Sequence, residues 1–210
     1  MLAELARRDI PAVAMLHPDV PAVELPGSPR QVRADLLDEA ALAAAAEGVT
    51  HVIHLAARVH MMHDTAADPE KAFHEVNVTG TANVLAAAAS AGAKRFLLMS
   101  SVKAMGEEEV GVFDEATDPH PASPYGRSKL AAERLLFERA DELGVHAVAL
   151  RLPMVYGPGN KGNMLRLLEA ASRGKVLPLG AVHNRRSMVY VGNVVDAILA
   201  AIDADAAGGE

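Results

Sequence analysis

The sequence has no cysteine and no tryptophan, and aromatic residues make up only 3% of it. Without cysteine there is no disulfide framework, no thiolate zinc site and no cysteine nucleophile. No basic run is visible and the formal net charge is −7. That removes the Lys/Arg footprint that contact with nucleic-acid phosphates requires. No apolar run reaches the roughly 20 residues of a membrane-spanning helix. The opening MLAELARRDI carries its charges inside the would-be apolar centre, so it does not read as a signal peptide. A cytoplasmic location is the default expectation. What is present is a 210-residue chain, 50% apolar and rich in alanine. That is enough for one substantial core, or one domain with part of another.

Apolar, β-rich runs alternate with helical patterns. Strand candidates are 12–16, 51–55, 95–100 and 146–152, with a weak one at 176–179. Helical patterns cover 38–47, 69–91, 124–143, 163–173 and 192–202, and the Pro-rich segment 17–30 reads as a loop. Continuous apolar strands between helices predict an α/β fold, a doubly wound parallel sheet covered on both faces. Both ends read as cut. MLAELARRD resembles the back half of a helix that a strand and glycine turn would precede, and DADAAGGE follows a helix with no later strand.

The strongest chemical signal is SPYGRSKLAAERLLFERADELG. Ser123 suits an N-cap and Pro124 the first helical turn. Tyr125 and Lys129 are four residues apart and share a helix face, which Ala132, Leu136 and Leu143 continue as the sheet-facing stripe. A phenol and an ammonium are thus directed inward, where an unpaired charge is costly. One strand earlier, RFLLMSS ends in Ser100-Ser101. Strand carboxyl ends are where open α/β sheets bind ligands. Lys129 would lower the pKa of Tyr125 by favouring phenolate. The phenolate could exchange a proton with a substrate hydroxyl, and Ser101 could hold the substrate oxygen.

With these residues in order, the sequence resembles the extended short-chain dehydrogenase/reductase family, in its nucleotide-sugar epimerase/dehydratase branch. The matching segments are ADLLD (34–38), HVIHLAA (51–57), VNVTGTANVL (76–85), SSVKAMGE (100–107), PYGRSK (124–129), RLPMVYGPG (151–159) and RRSMVYVGNVVDAI (185–198). The segments 57–69 and 177–187 resemble bacterial UDP-sugar 4-epimerases and 4-ketoreductases. The resemblance implies a Rossmann-like domain over 1–210, incomplete at both ends, with 153–190 starting the substrate-binding part. It implies catalysis by Ser101, Tyr125 and Lys129, with Lys129 also holding the nicotinamide ribose. It places Asp35 and Leu36 beside the adenine, and Leu55, Ala56 and Ala57 in a small-residue turn against the cofactor. Pro153 to Val155 would face the nicotinamide. Arg186 would pair with the substrate diphosphate, where a planar bidentate donor is apt. Asn163 is a further substrate candidate, and Asn77 a helix residue that tethers neighbouring strands. The implied partners are NAD or NADP, a UDP-sugar and a second copy of the chain in a homodimer.

Departures from the family pattern are informative. The glycine-rich loop is absent upstream of MLAELARRD, which motivates an alternative: an inactive fragment without the cofactor phosphate loop. The position expected to carry a ribose-binding acid aligns with His17, which leaves NAD and NADP both open. Val102-Lys103 follow Ser101 where a 4,6-dehydratase carries Asp-Glu, which argues against that reaction. Met105 replaces the usual Tyr and is expected to open the substrate side. GPGNKG (157–162) matches G-x-G-x-x-G, yet Pro158 has no N–H for a pyrophosphate and no acid follows at the required distance. It reads as a substrate-side loop. Among the nine histidines, His51 and His54 face opposite sides of a strand and cannot chelate together. His60 and His63 lack a carboxylate or thiolate partner, so no metal site is expected.

Overall fold

The computed structural model describes residues 1–59, 66–107, 112–114, 116–160, 163–175 and 185–204. The apolar runs become strands β1 (Val13–Leu16), β3 (His51–His54), β4 (Arg95–Ser101) and β5 (His146–Leu152). Three short strands join them: β2 (Arg30–Arg33), β6 (Met154–Tyr156) and β7 (Met188–Tyr190). These have little apolar signal; in β2 only Val32 is partly buried. The weak candidate at 176–179 lies outside the described residues, as do His60 and His63.

Every pairing is parallel. The strands form three groups, β1-β2, β3-β4-β5 and β6-β7. Pro153 sits between β5 and β6 and has no N–H for a ladder bond, which marks the second division.

The helices are α1 (Leu2–Arg7), α2 (Glu39–Ala46), α3 (Pro69–His74), α4 (Gly80–Ser90), α5 (Pro124–Glu142), α6 (Asn163–Ser172) and α7 (Val191–Asp203). Their starts are written in the sequence. Asp38, Asp68 and Ser123 accept backbone N–H bonds from Ala41, Lys71 and Gly126 at 3.0, 3.0 and 3.1 Å. Each such cap stabilises its helix by about 1 kcal/mol. The pattern over 69–91 reads as one helix, but a π-helical turn, Glu75–Thr79, separates α3 from α4. Helix α5 ends one residue before Leu143. That residue is 42% exposed, not part of the buried stripe that the spacing predicts.

Strand β4 explains the two-sided core. Its side chains alternate. Phe96 and Leu98 pack with Leu85 of α4 and Ala132 and Leu136 of α5. Leu97 packs on the other face with Val194, Ile198 and Ile202 of α7. Phe96 and Leu97 are 1% and 0% exposed, and burial of each side chain contributes about 1.5–3 kcal/mol. The sheet is thereby covered on both sides, and the carboxyl end of β4 is held between α5 and α7.

Candidate active site

The site is built where β4 runs out. Ser101 is its last residue, and a 3₁₀ turn, Val102–Ala104, follows. The Lys103 N–H donates to Ser101 Oγ at 3.2 Å. Helix α5 then presses its first turn onto this one. A Cβ at Gly126 would lie 2.4 Å from the Lys103 carbonyl oxygen, so only glycine permits the approach. The approach brings the neighbouring residue, Tyr125, close enough to Ser101 for the two hydroxyls to influence each other.

Tyr125 is partly enclosed. Phe73 of α3 meets its ring nearly edge-on, with centroids 5.9 Å apart, and the Arg58 guanidinium lies 5.3 Å over Phe73. Burial pushes the Tyr125 hydroxyl above the ordinary tyrosine range, and the nearby Ser101 hydroxyl opposes that in smaller measure. The sequence leads one to expect a phenol depressed by Lys129; in the free chain, desolvation dominates.

Lys129 is 2% exposed. Its Nζ donates to the Met99 carbonyl at 2.6 Å, which anchors α5 to β4. Burial pulls its pKa down to about 8, with the Glu133 carboxylate pulling the other way. The ammonium therefore changes charge within reach of physiological pH.

Asn77, in the π turn, supplies the lateral brace. Its Oδ1 accepts from the Arg58 N–H at 2.8 Å, and its Nδ2 donates to the Arg58 carbonyl at 3.0 Å and to Ser128 Oγ at 2.9 Å. Ser128 Oγ in turn donates to the Tyr125 carbonyl at 2.8 Å. One side chain thus ties the segment after β3 to α5 between Tyr125 and Lys129. Extra-residue turns of this kind are frequent at functional sites.

The remaining sequence candidates fall after strand carboxyl ends. Leu55 and Ala56 are exposed and Ala57 is half-buried just after β3. Asp35 follows β2; its Oδ1 accepts from the Leu37 N–H at 2.8 Å, and its Oδ2 lies 3.2 Å from His17 Nε2. Leu36, also expected beside an adenine, has an inward-facing side chain. It is buried against Gly80, where a Cβ would sit 3.0 Å away, and its carbonyl accepts from Asn83 Nδ2 at 3.0 Å. Pro153 and Val155 are half-buried, with Val155 paired to Val189 and packed on the α7 side of the core. Asn163 opens α6, and Arg186 is exposed two residues before β7. At Gly157 (φ +147°) a Cβ would lie 2.5 Å from Val191 Cγ1, and the Gly157 carbonyl accepts from Asn160 N–H at 3.1 Å. That glycine serves a tight turn packed on α7. Lys161 and Gly162 lie outside the described residues.

Four residues near this site are placed in ways that the sequence does not show. The buried carboxylate of Glu133 pairs with the partly exposed Arg151, although Tyr125, Lys129 and Glu133 stand at regular four-residue intervals. Met105 is 3% exposed and turns inward, with Arg151 Nη1 2.7 Å from its sulfur, so it does not open the substrate side. His54, on β3, is 4% exposed and tilted against Phe96, and its Nε2 has no hydrogen-bond partner among the described residues. Burial and the Lys129 charge pull its pKa down to about 4.

His54 gives the fold a pH signature. Its folded pKa lies below the ordinary value of 6.5, so the unfolded chain binds the proton more tightly. Stability from this group is complete above pH 6.5 and is lost as pH falls toward 4. The full loss is about 3 kcal/mol. Urea titrations between pH 7 and pH 4 are expected to show this decline, and His54→Phe to flatten it. An unchanged slope in the variant would assign the decline to other groups.

No group of three or more His, Asp or Glu side chains is placed to hold a metal ion among the described residues. None of the described helices is long and apolar enough to cross a membrane.

The geometry can be set beside known proteins. The model of the NAD dependent epimerase/dehydratase family matches residues 2–210. The chain is 41% identical over 160 residues to a UDP-glucose 4-epimerase from Vibrio cholerae, covering 75% of this chain and 49% of the relative. It is 35% identical over 179 residues to an N-acetyl-α-D-glucosaminyl-diphospho-ditrans,octacis-undecaprenol 4-epimerase from Escherichia coli O157:H7, covering 84% and 52%. The chain therefore spans about half the length of these curated relatives. Among solved structures, the Thermus thermophilus UDP-glucose 4-epimerase in complex with NAD superposes with a TM-score of 0.79 at 27% identity. That alignment covers 96% of this chain and 69% of the other. The fold is a Rossmann-like α/β fold.

Proposed function

We propose, since the chain belongs to the NAD dependent epimerase/dehydratase family, that it acts at C4 of a UDP-sugar as a 4-epimerase. A 4-ketoreductase would use the same residues and differ only in the fate of the hydride. The observation that carries the reading is the convergence of Ser101 and Tyr125 where the first turn of α5 is pressed onto the end of β4 at Gly126, with the Lys129 ammonium buried one turn further along the same helix.

The residues present fit a nicotinamide dinucleotide. Leu55 and Ala56 offer a small, exposed apolar surface at the end of β3, and Lys129 a cation for ribose hydroxyls. Asp35 offers an exposed carboxylate beside His17, where a second phosphate would meet like charge, so NAD is favoured over NADP. Bound there, NAD supplies the hydride chemistry. The protein handles the proton and the oxygen. Tyr125 takes the proton from the C4 hydroxyl, Ser101 donates a hydrogen bond to that oxygen, and the Lys129 charge offsets the desolvation that otherwise keeps the phenol neutral. Pro153 and Val155 line the nicotinamide side, Arg186 pairs with the diphosphate, and Asn163 contacts the substrate. Self-association is part of the same reading. The outer face of α5 bears a groove of about 1020 Å³ whose Arg134, Glu138, Arg139 and Glu142 can pair with their own copies.

Incubation with NAD and either UDP-glucose or UDP-N-acetylglucosamine tests it. The expected result is C4-inverted product with no net gain of absorbance at the NADH band. Net NADH consumption with a 4-keto sugar would select the ketoreductase. Bound NAD with no conversion of any 4-hydroxy or 4-keto UDP-sugar would overturn both.

A further inference from the structure

Behind the Tyr125–Lys129 face lies a charge pair that the proton-handling steps do not use. Glu133 is one helical turn beyond Lys129 and 2% exposed. A carboxylate so buried is retained only when its charge is matched. Here it is matched from two strands. Arg151 of β5 donates from Nη2 at 2.7 Å and from Nε at 3.1 Å, and Ser100 of β4 donates its hydroxyl proton to the same group. Ser100 precedes Ser101, and Ser100 and Arg151 are register partners across β4 and β5. The pair thus grips the last rungs of both strands from below α5.

We propose that Glu133 is a positioning residue of the site: with Arg151 it clamps α5 to the ends of β4 and β5 and sets the charge against which Lys129 works. The importance of that charge for turnover rests on the function proposed above; the electrostatic relation does not. The clamp fixes both members of the Ser101–Tyr125 contact, since Ser101 follows Ser100 and Tyr125 stands two turns before Glu133. Among the described residues, the charged and titratable groups that act with Lys129 are Glu133 on α5, His54 on β3 and, through Glu133, Arg151 on β5, with Tyr125 one turn back on the same helix face; β4 contributes the Met99 carbonyl. Glu133 is the only carboxylate in this set among the described residues. Its removal takes away the anion and also takes that carboxylate from the Arg151 cation. Both effects disfavour a charged Lys129. Removing Arg151 instead leaves Glu133 facing Lys129 alone, which favours the charged form.

The test is a pH titration of lysine side chains by heteronuclear NMR on the full chain, with the Lys129 signal identified by its loss in Lys129→Met. The unsubstituted protein is expected to titrate at about 8. Glu133→Gln is expected to lower that midpoint by roughly one pH unit and Arg151→Met to raise it, while Glu133→Asp leaves it near the starting value. A purely structural role predicts something else. Loosened packing admits water and moves Lys129 toward the ordinary lysine value in both variants. Midpoints that rise together, or that do not move, overturn the proposal. If Glu133→Gln does not fold, the Arg151→Met and Glu133→Asp titrations decide it. The titration needs no turnover, so opposite shifts alongside an absence of sugar conversion would uphold the clamp and reject the reaction. Where conversion is seen, the pH profile of kcat in Glu133→Gln is expected to shift in the same direction as Lys129.

Discussion

Tyr125→Phe is expected to lower turnover of a UDP-sugar by about 10²- to 10⁴-fold, the range for loss of a positioned proton-transfer group. The change deletes one oxygen and keeps the ring that packs against Phe73. The fold loses at most the interaction of that hydroxyl with Ser101. That is about 1 kcal/mol, or a shift of roughly 2–4 °C in melting temperature for a chain of this size. Initial-rate assays and a thermal melt on the same preparation check both halves. Turnover within tenfold of the unsubstituted protein would remove Tyr125 from the chemistry.

Lys129→Met is expected to do two opposite things. Activity falls by a comparable factor, because a desolvated phenol without the neighbouring cation stays protonated. Stability rises. The folded pKa of Lys129, about 8, lies below the ordinary 10.5, so the unfolded chain holds the charged lysine better. The contribution of this group is complete above pH 10.5 and is lost as pH falls toward 8, leaving a cost of about 3 kcal/mol at neutral pH. Methionine fills similar space and needs no counter-charge, though it gives up the bond to the Met99 carbonyl. The net gain expected from denaturant titration at pH 7 is about 1–2 kcal/mol. At pH 11 the gain should vanish. A variant less stable at both pH values would mean that the lysine holds the fold together rather than straining it.

Much of this site is legible in the chain because its parts obey local rules. Tyr125 and Lys129 share a face by helical spacing. Ser123 and Pro124 announce the helix start, and the apolar run before Ser101 announces a strand whose end faces ligand. The π turn at Asn77 is not legible, because one extra residue in a turn leaves the apolar pattern of 69–91 intact. Strands β2, β6 and β7 are short, and β2 carries two arginines in four residues. Burial by tertiary contact is the least legible. Leu36 turns inward because Gly80 leaves room for it. Met105 turns inward onto Arg151. Glu133 shares a face with Tyr125 and Lys129, but what matches its charge is not visible until Arg151 and Ser100 arrive from two separate strands.

The configuration of one carbon tests the proposed chemistry most directly. UDP-glucose carrying deuterium at C4, incubated with the protein and NAD and followed by NMR, is expected to yield the C4 epimer with the deuterium still on C4. The Tyr125→Phe protein is expected to yield it at least about a hundredfold more slowly. UDP-sugar recovered with C4 unchanged, from protein to which NAD is demonstrably bound, would contradict the assignment of Ser101, Tyr125 and Lys129 to this chemistry.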